Sequence, residues 1–107
     1  MKLPDKVRIQ GADWEIRADH EQMDTDDTYG QSQEVHLRIL IDDTRPIDRQ
    51  RACLLHELFH AYQSMNVAPK QRLTEAQVKF IAASLFQILS DNPDVARFIC
   101  GLEKEVP

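Results

Sequence analysis

Residues 56–60 read HELFH, two histidines four positions apart with a glutamate directly after the first. Four residues along an α-helix turn by about 400°, so His56 and His60 stand about 40° apart and roughly 6 Å apart in height. Both imidazoles can therefore reach one ion. They supply two of the three protein ligands that a catalytic zinc takes, at metal–nitrogen distances near ~2.1 Å, and a position is left for water. Glu57 is turned about 100° from His56 and reaches that water instead of the ion. Zinc lowers the pKa of such a water toward about 7 and polarises a carbonyl, while an adjacent carboxylate can take the proton and pass it to a leaving amine. A purely structural site would need the two histidines and have no use for Glu57. With four His and seven Glu in the chain, the pattern arises by chance only about 0.01 times.

The elements that position this motif follow from the pattern of apolar residues. From about 48 to 65, Leu55, Leu58, Phe59, Tyr62 and Met65 recur at helical spacing, supported by Leu54 and Ala61. Cys53, His56, Glu57, His60 and Ser64 fall on another face. One helix with a core side and a polar side is expected, the motif lying on the polar side and Asp48 serving as N-cap. Upstream, KVRIQGADWEIRA alternates at Val7 and Ile9, then at Trp14, Ile16 and Ala18, which predicts two short strands in a hairpin around Gly11-Ala12-Asp13. Residues 19–30 are acidic and poor in apolar side chains, a surface loop in which Asp24, Asp26 and Asp27 read as solvated. EVHLRILID, residues 34–42, is the strongest strand signal, with Val35, Leu37, Ile39 and Ile41 on one face. Pro46 ends it, since proline cannot sit inside a central strand.

Downstream, LTEAQVKFIAASLFQILS predicts a second helix with a Thr74–Gln77 capping box and a buried stripe of Val78, Ile81, Ala82, Leu85 and Leu89. It ends near Asn92-Pro93. Residues 94–102 read as one more short helix, and 103–107 as a frayed tail.

Two histidines need a third ligand. The candidates are Glu75, Asp91, Asp94, His20 and His36. Glu75 lies three residues before Val78 and seven before Ala82, so it shares the inward face of the second helix and points toward the first. The competing role is a first-turn glutamate favoured by the helix dipole. Glu75 can reach the level of His60 only if the NVAPKQRL connection climbs back, or if the second helix already begins near Pro69.

At 107 residues the chain fits a single domain spanning 1–107. Its net charge of -5 and scattered Lys and Arg argue against a nucleic-acid surface, which needs a basic patch. MKLPDKVRIQG lacks the apolar run of a secretory signal, and no stretch approaches the roughly 18 apolar residues of a membrane span. A cytoplasmic protein without membrane association is expected. Cys53 and Cys100 read as reduced thiols without metal-binding spacing.

With HELFH and Glu75 in view, the chain resembles a very small zincin of the gluzincin type, in which a glutamate on the next helix completes the site. More closely, it resembles the minimal zinc-metallopeptidase-like proteins of phages and prophages related to the ImmA/IrrE group. TYG, EVHLRILI, LLHELFHA, LTEAQVKFIAASLFQIL and DNPDVARFI carry the likeness, which spans most of the chain. The resemblance implies a small α+β fold: a short antiparallel sheet packed on the HExxH helix, followed by a ligand-bearing helix. It implies one Zn2+ held by His56, His60 and Glu75, Glu57 as general base, and a polypeptide substrate met in the host cytoplasm. The chain departs from larger proteases in lacking a downstream subdomain and an obvious transition-state stabiliser; Tyr29 and His36 are the candidates for that role. In zincins an edge strand above the site pairs with extended substrate, a role the 34–42 strand would take. A non-catalytic relative that keeps zinc for folding and docks to a partner is the alternative, and hydrolysis of a non-peptide amide would use the same water activation.

Overall fold

The computed structural model describes residues 2–19, 30–33 and 36–102. Tyr29, His20, Glu34, Val35, the Asp24–Asp26–Asp27 group and the 103–107 tail lie outside the described residues.

Strand β1 (Lys6–Ile9) and strand β2 (Ala12–Ala18) form a hairpin with Val7 opposite Trp14 and Ile9 opposite Ala12. Its turn is the pair Gln10-Gly11, one residue earlier than the sequence suggests, with φ of 47° and 84°. Two consecutive positive φ values match the right-handed twist of the flanking strands, and Gly11 adopts its value without a Cβ penalty.

The predicted strand over 34–42 is shorter. Strand β4 covers only Arg38–Ile41, preceded by His36 and Leu37 in a turn, and Leu37 takes a left-handed φ of 48°. The residues before that turn, Gly30–Gln33, form strand β3, antiparallel to β4. A left-handed residue breaks the run of extended backbone that the alternation implies. The four-stranded sheet has the order β1-β2-β4-β3. It is mixed and not wholly antiparallel: β2 and β4 run parallel, with Ile16 opposite Ile39 and Ala18 opposite Ile41. A strand hydrogen-bonded on both edges sits in the middle of the sheet, away from its solvent-facing margins. Ile39, Leu40 and Ile41 of this central strand are all buried.

Helix α1 (Ile47–Asn66) lies on the sheet, and Trp14, Ile16, Ile39, Ile41 and Ala61 make the core, with Cys53, Leu54 and Leu58 packed against it. Pro46 is the N-cap residue; Asp48 falls inside the first turn and accepts from Arg51 at 3.1 Å, so it is not the cap. A single 3-10 turn at Pro69–Gln71 leads to helix α2 (Glu75–Asp91), whose expected capping box is present: Thr74 Oγ1 accepts from the Gln77 backbone N–H, and Gln77 Oε1 from that of Thr74. Along the expected stripe Val78 and Ala82 are buried, and Ile81, Leu85 and Leu89 half-buried. Helix α3 (Pro93–Ile99) follows, with Pro93 in its first turn, a position where the missing N–H costs nothing. This is an α+β arrangement. No helix among the described residues is long and apolar enough to cross a membrane.

Candidate metal centre

The expected division of α1 into a core side and a polar side holds only in part: Leu54, Leu58 and Ala61 lie in or against the core as expected. Its buried residues are Glu57, Ala61 and Gln63, and Cys53, assigned to the polar face, packs against the core. Tyr62, read as core, is 49% exposed, and its hydroxyl accepts from Gln10 at 3.2 Å; Met65 is also exposed. The physical reason is that α1 is covered on two sides, by the sheet and by α2, so its buried arc is broader than one apolar stripe and rotated from it. HELFH lies where these two contacts meet.

At that junction the Nε2 atoms of His56 and His60 are 3.2 Å apart, with ring centroids separated by 4.8 Å. Glu75 faces both: Oε1 lies 2.6 Å from Nε2 of His56 and Oε2 lies 3.0 Å from Nε2 of His60. Two ligand atoms about 2.1 Å from a common tetrahedral centre are themselves about 3.4 Å apart; the histidine pair comes near that spacing, and the Glu75 oxygens sit at hydrogen-bond distance from both rings, within reach of the same ion. Two imidazole nitrogens and a glutamate carboxylate are a donor set that catalytic zinc takes, with a fourth position open. The histidine rings are largely shielded, with 17% and 26% of their side-chain surface exposed, while Glu75 keeps 58% and forms the open side.

Local sequence explains each placement. The histidine pair follows from i,i+4 spacing within one helix. Glu75 is the first residue of α2, just after the Thr74 cap, so its position is set by the start of that helix. Although α1 continues past His60 to Asn66, the connection does climb back, as the ligand requires. Buried Gln63 accepts from the Leu73 backbone N–H at 2.7 Å, and Arg72 donates to the carbonyls of Val67 at 3.0 Å and Ser64 at 3.3 Å.

Glu57 stays out of the three-ligand group. Its side chain is 9% exposed, and its carboxylate comes to 3.9 Å of Nε2 of His56, beside the cluster and not in it. One turn earlier, burial pushes the Cys53 thiol up to about 12, helped by the nearby carboxylates of Glu57 and Asp42. Cys53 is thus a protonated core side chain, and a thiolate is the form a metal would need. Asp42, at the end of β4, is held below the usual carboxylate range by the Thr44 hydroxyl, the Thr44 backbone N–H and the Arg45 guanidinium. It organises the turn into α1.

Of the predicted site residues, His56, His60 and Glu75 come together with Glu57 alongside. His36 is exposed in the turn before β4 and does not join them. Asp91 ends α2, and Asp94 pairs with Arg97; neither belongs to the group. Gln63 and Arg72 drew no attention in the sequence, because their bonds go to backbone atoms that only the folded connection brings near. No protein-family model matches the chain, and neither a curated protein nor a solved structure matches it.

Proposed function

We propose that this protein is a zinc-dependent metallopeptidase with a minimal zincin-like fold, in which His56, His60 and Glu75 hold the ion and Glu57 is the general base. One observation carries the reading: both histidine Nε2 atoms and both Glu75 oxygens meet at one point, with a shielded second carboxylate beside them. An ordinary surface helix has no reason to gather these groups, whereas a gluzincin-type site requires all four.

Zinc held there would polarise a peptide carbonyl and acidify a water molecule. Glu57, beside His56, would take one proton from the water that attacks the carbonyl carbon. The same carboxyl would return that proton to the amide nitrogen as the C–N bond breaks, so that the products are a carboxylic acid and an amine. Glu57 is buried, and its carboxylate lies 3.9 Å from Nε2 of His56, outside the ligand set. The substrate strand belongs at β3 and not at the 34–42 segment, because β4 is central while β3 is the sheet edge and packs against α1. An extended polypeptide adding to that edge would gain main-chain hydrogen bonds.

The test is cleavage of a peptide library by zinc-loaded protein. Glu57→Gln is expected to lower kcat/KM by about 10²–10⁴ while zinc stays bound; undiminished cleavage would refute the role of Glu57. A second reading, a zincin-fold protein that keeps zinc for folding and acts by docking, draws on the exposed Phe80 and Phe98 of α2 and α3. In that case Glu57→Gln leaves function intact and His56→Ala abolishes it.

A further inference from the structure

We propose that Gln63 and Arg72 are positioning residues for the third ligand: by tying the α1–α2 connection back onto the last turns of α1, they set where the Glu75 carboxylate stands. This rests on the metal-site reading above and goes beyond it in saying what makes the site three-coordinate.

The three ligands are held by different means. His56 and His60 are locked to each other by one helix, so their relation survives any movement of the rest of the molecule. Glu75 has no such guarantee, since it stands at the very start of α2 with more than half of its side chain exposed. Its distance from the rings is fixed by the segment between Asn66 and Thr74. That segment is fastened at two points. Gln63, one turn beyond His60 on α1, sends its amide oxygen across to the Leu73 backbone N–H, two residues before the ligand, at 2.7 Å. Arg72 reaches back in the opposite direction to the carbonyls of Ser64 and Val67 at the end of α1. All three bonds join chain on the ligand side of the connection to chain on the histidine side. Gln63 is only 8% exposed, and a buried amide is retained where its hydrogen bond is made. The Thr74–Gln77 capping box then fixes the first turn that carries Glu75.

A residue that merely stabilises the fold would change zinc affinity, if at all, equally whether or not Glu75 is present. A residue acting through Glu75 would not. The experiment is a double-mutant cycle on the full chain, with zinc Kd read by competition against a chromophoric chelator. Gln63→Met and Arg72→Met are each expected to weaken zinc binding about tenfold, the low end of what groups behind a metal ligand contribute. In a Glu75→Ala background neither should change the Kd by more than about twofold, because the ligand they position is gone. Equal losses in both backgrounds, or no loss in either, would overturn the inference. If Gln63→Met fails to fold, Arg72→Met, which removes a half-buried side chain, decides alone. Failure of the unmodified protein to bind zinc would refute the metal-site reading itself, and this inference with it.

Discussion

From β1 to the end of α1, Trp14, Ile39, Ile41 and Ala61 are at most 1% exposed. In α2 and α3 the described buried residues are Val78 and Ala82, while Phe80, Phe98 and Ile99 stand 74%, 77% and 67% exposed. The candidate metal centre spans these two regions. His56 and His60 belong to the well-packed half, and Glu75 opens the lightly packed one. The contrast teaches that a histidine pair is a local product of helix geometry, whereas the third ligand depends on how the second half is held against the first. A cation bound by all three would cross-link the two halves.

The sharpest way to break this comparison is to attack the packed half. Trp14→Ala should cost about 3–5 kcal/mol, read by urea unfolding, because it leaves a large void under the sheet. A cost below about 1 kcal/mol would show that the two halves are not unequal in the way their burial indicates. Next in size is the ion. Zinc at a hundredfold excess over its Kd should add about 2.7 kcal/mol to stability, and hydrogen exchange should show the new protection in the first turn of α2 more than in the β1–β2 hairpin. Uniform protection would mean that the halves were already one cooperative unit.

A smaller effect is expected at the cap. Thr74→Ala removes the acceptor for the Gln77 N–H and should cost about 1 kcal/mol in thermal unfolding. Since that cap immediately precedes Glu75, zinc affinity should fall with it. The smallest effect belongs to the outer face of α3. Phe98→Ser should change stability by no more than about 0.5 kcal/mol, as for other surface positions. A larger loss would show that α3 is packed more tightly than its exposure indicates.

How much of this could be read from sequence follows the same divide between local and non-local. The capping box, both long helices and the histidine spacing are written within a few residues of each other, and they were legible for that reason. Glu75 was legible through the phase of its helix. The parallel pairing of β2 with β4 was not, since it joins segments separated by a long stretch of chain. The GQSQ strand β3 carries no apolar alternation at all and owes its conformation to its place beside β4. Leu37 shows the opposite failure: the alternation through it is regular, yet its backbone is left-handed and ends the strand. A helical wheel puts Tyr62 on the apolar side of α1 and Glu57 on the polar side, because it shows one apolar stripe but not the second covering element, and the folded helix exposes the first and buries the second. Gln63 left no trace, since a glutamine that bonds to a backbone N–H ten residues later has no sequence signature.

The central claim is that His56, His60 and Glu75 form one zinc site with Glu57 beside it and outside the ligand set. Equilibrium zinc binding to the purified chain and its variants tests this most directly. One equivalent is expected for the unmodified protein and for Glu57→Gln, with binding lost in His56→Ala and His60→Ala and weakened in Glu75→Ala. An unmodified protein that takes up no zinc, or a Glu75→Ala variant that binds it as tightly as the unmodified chain, would contradict the account.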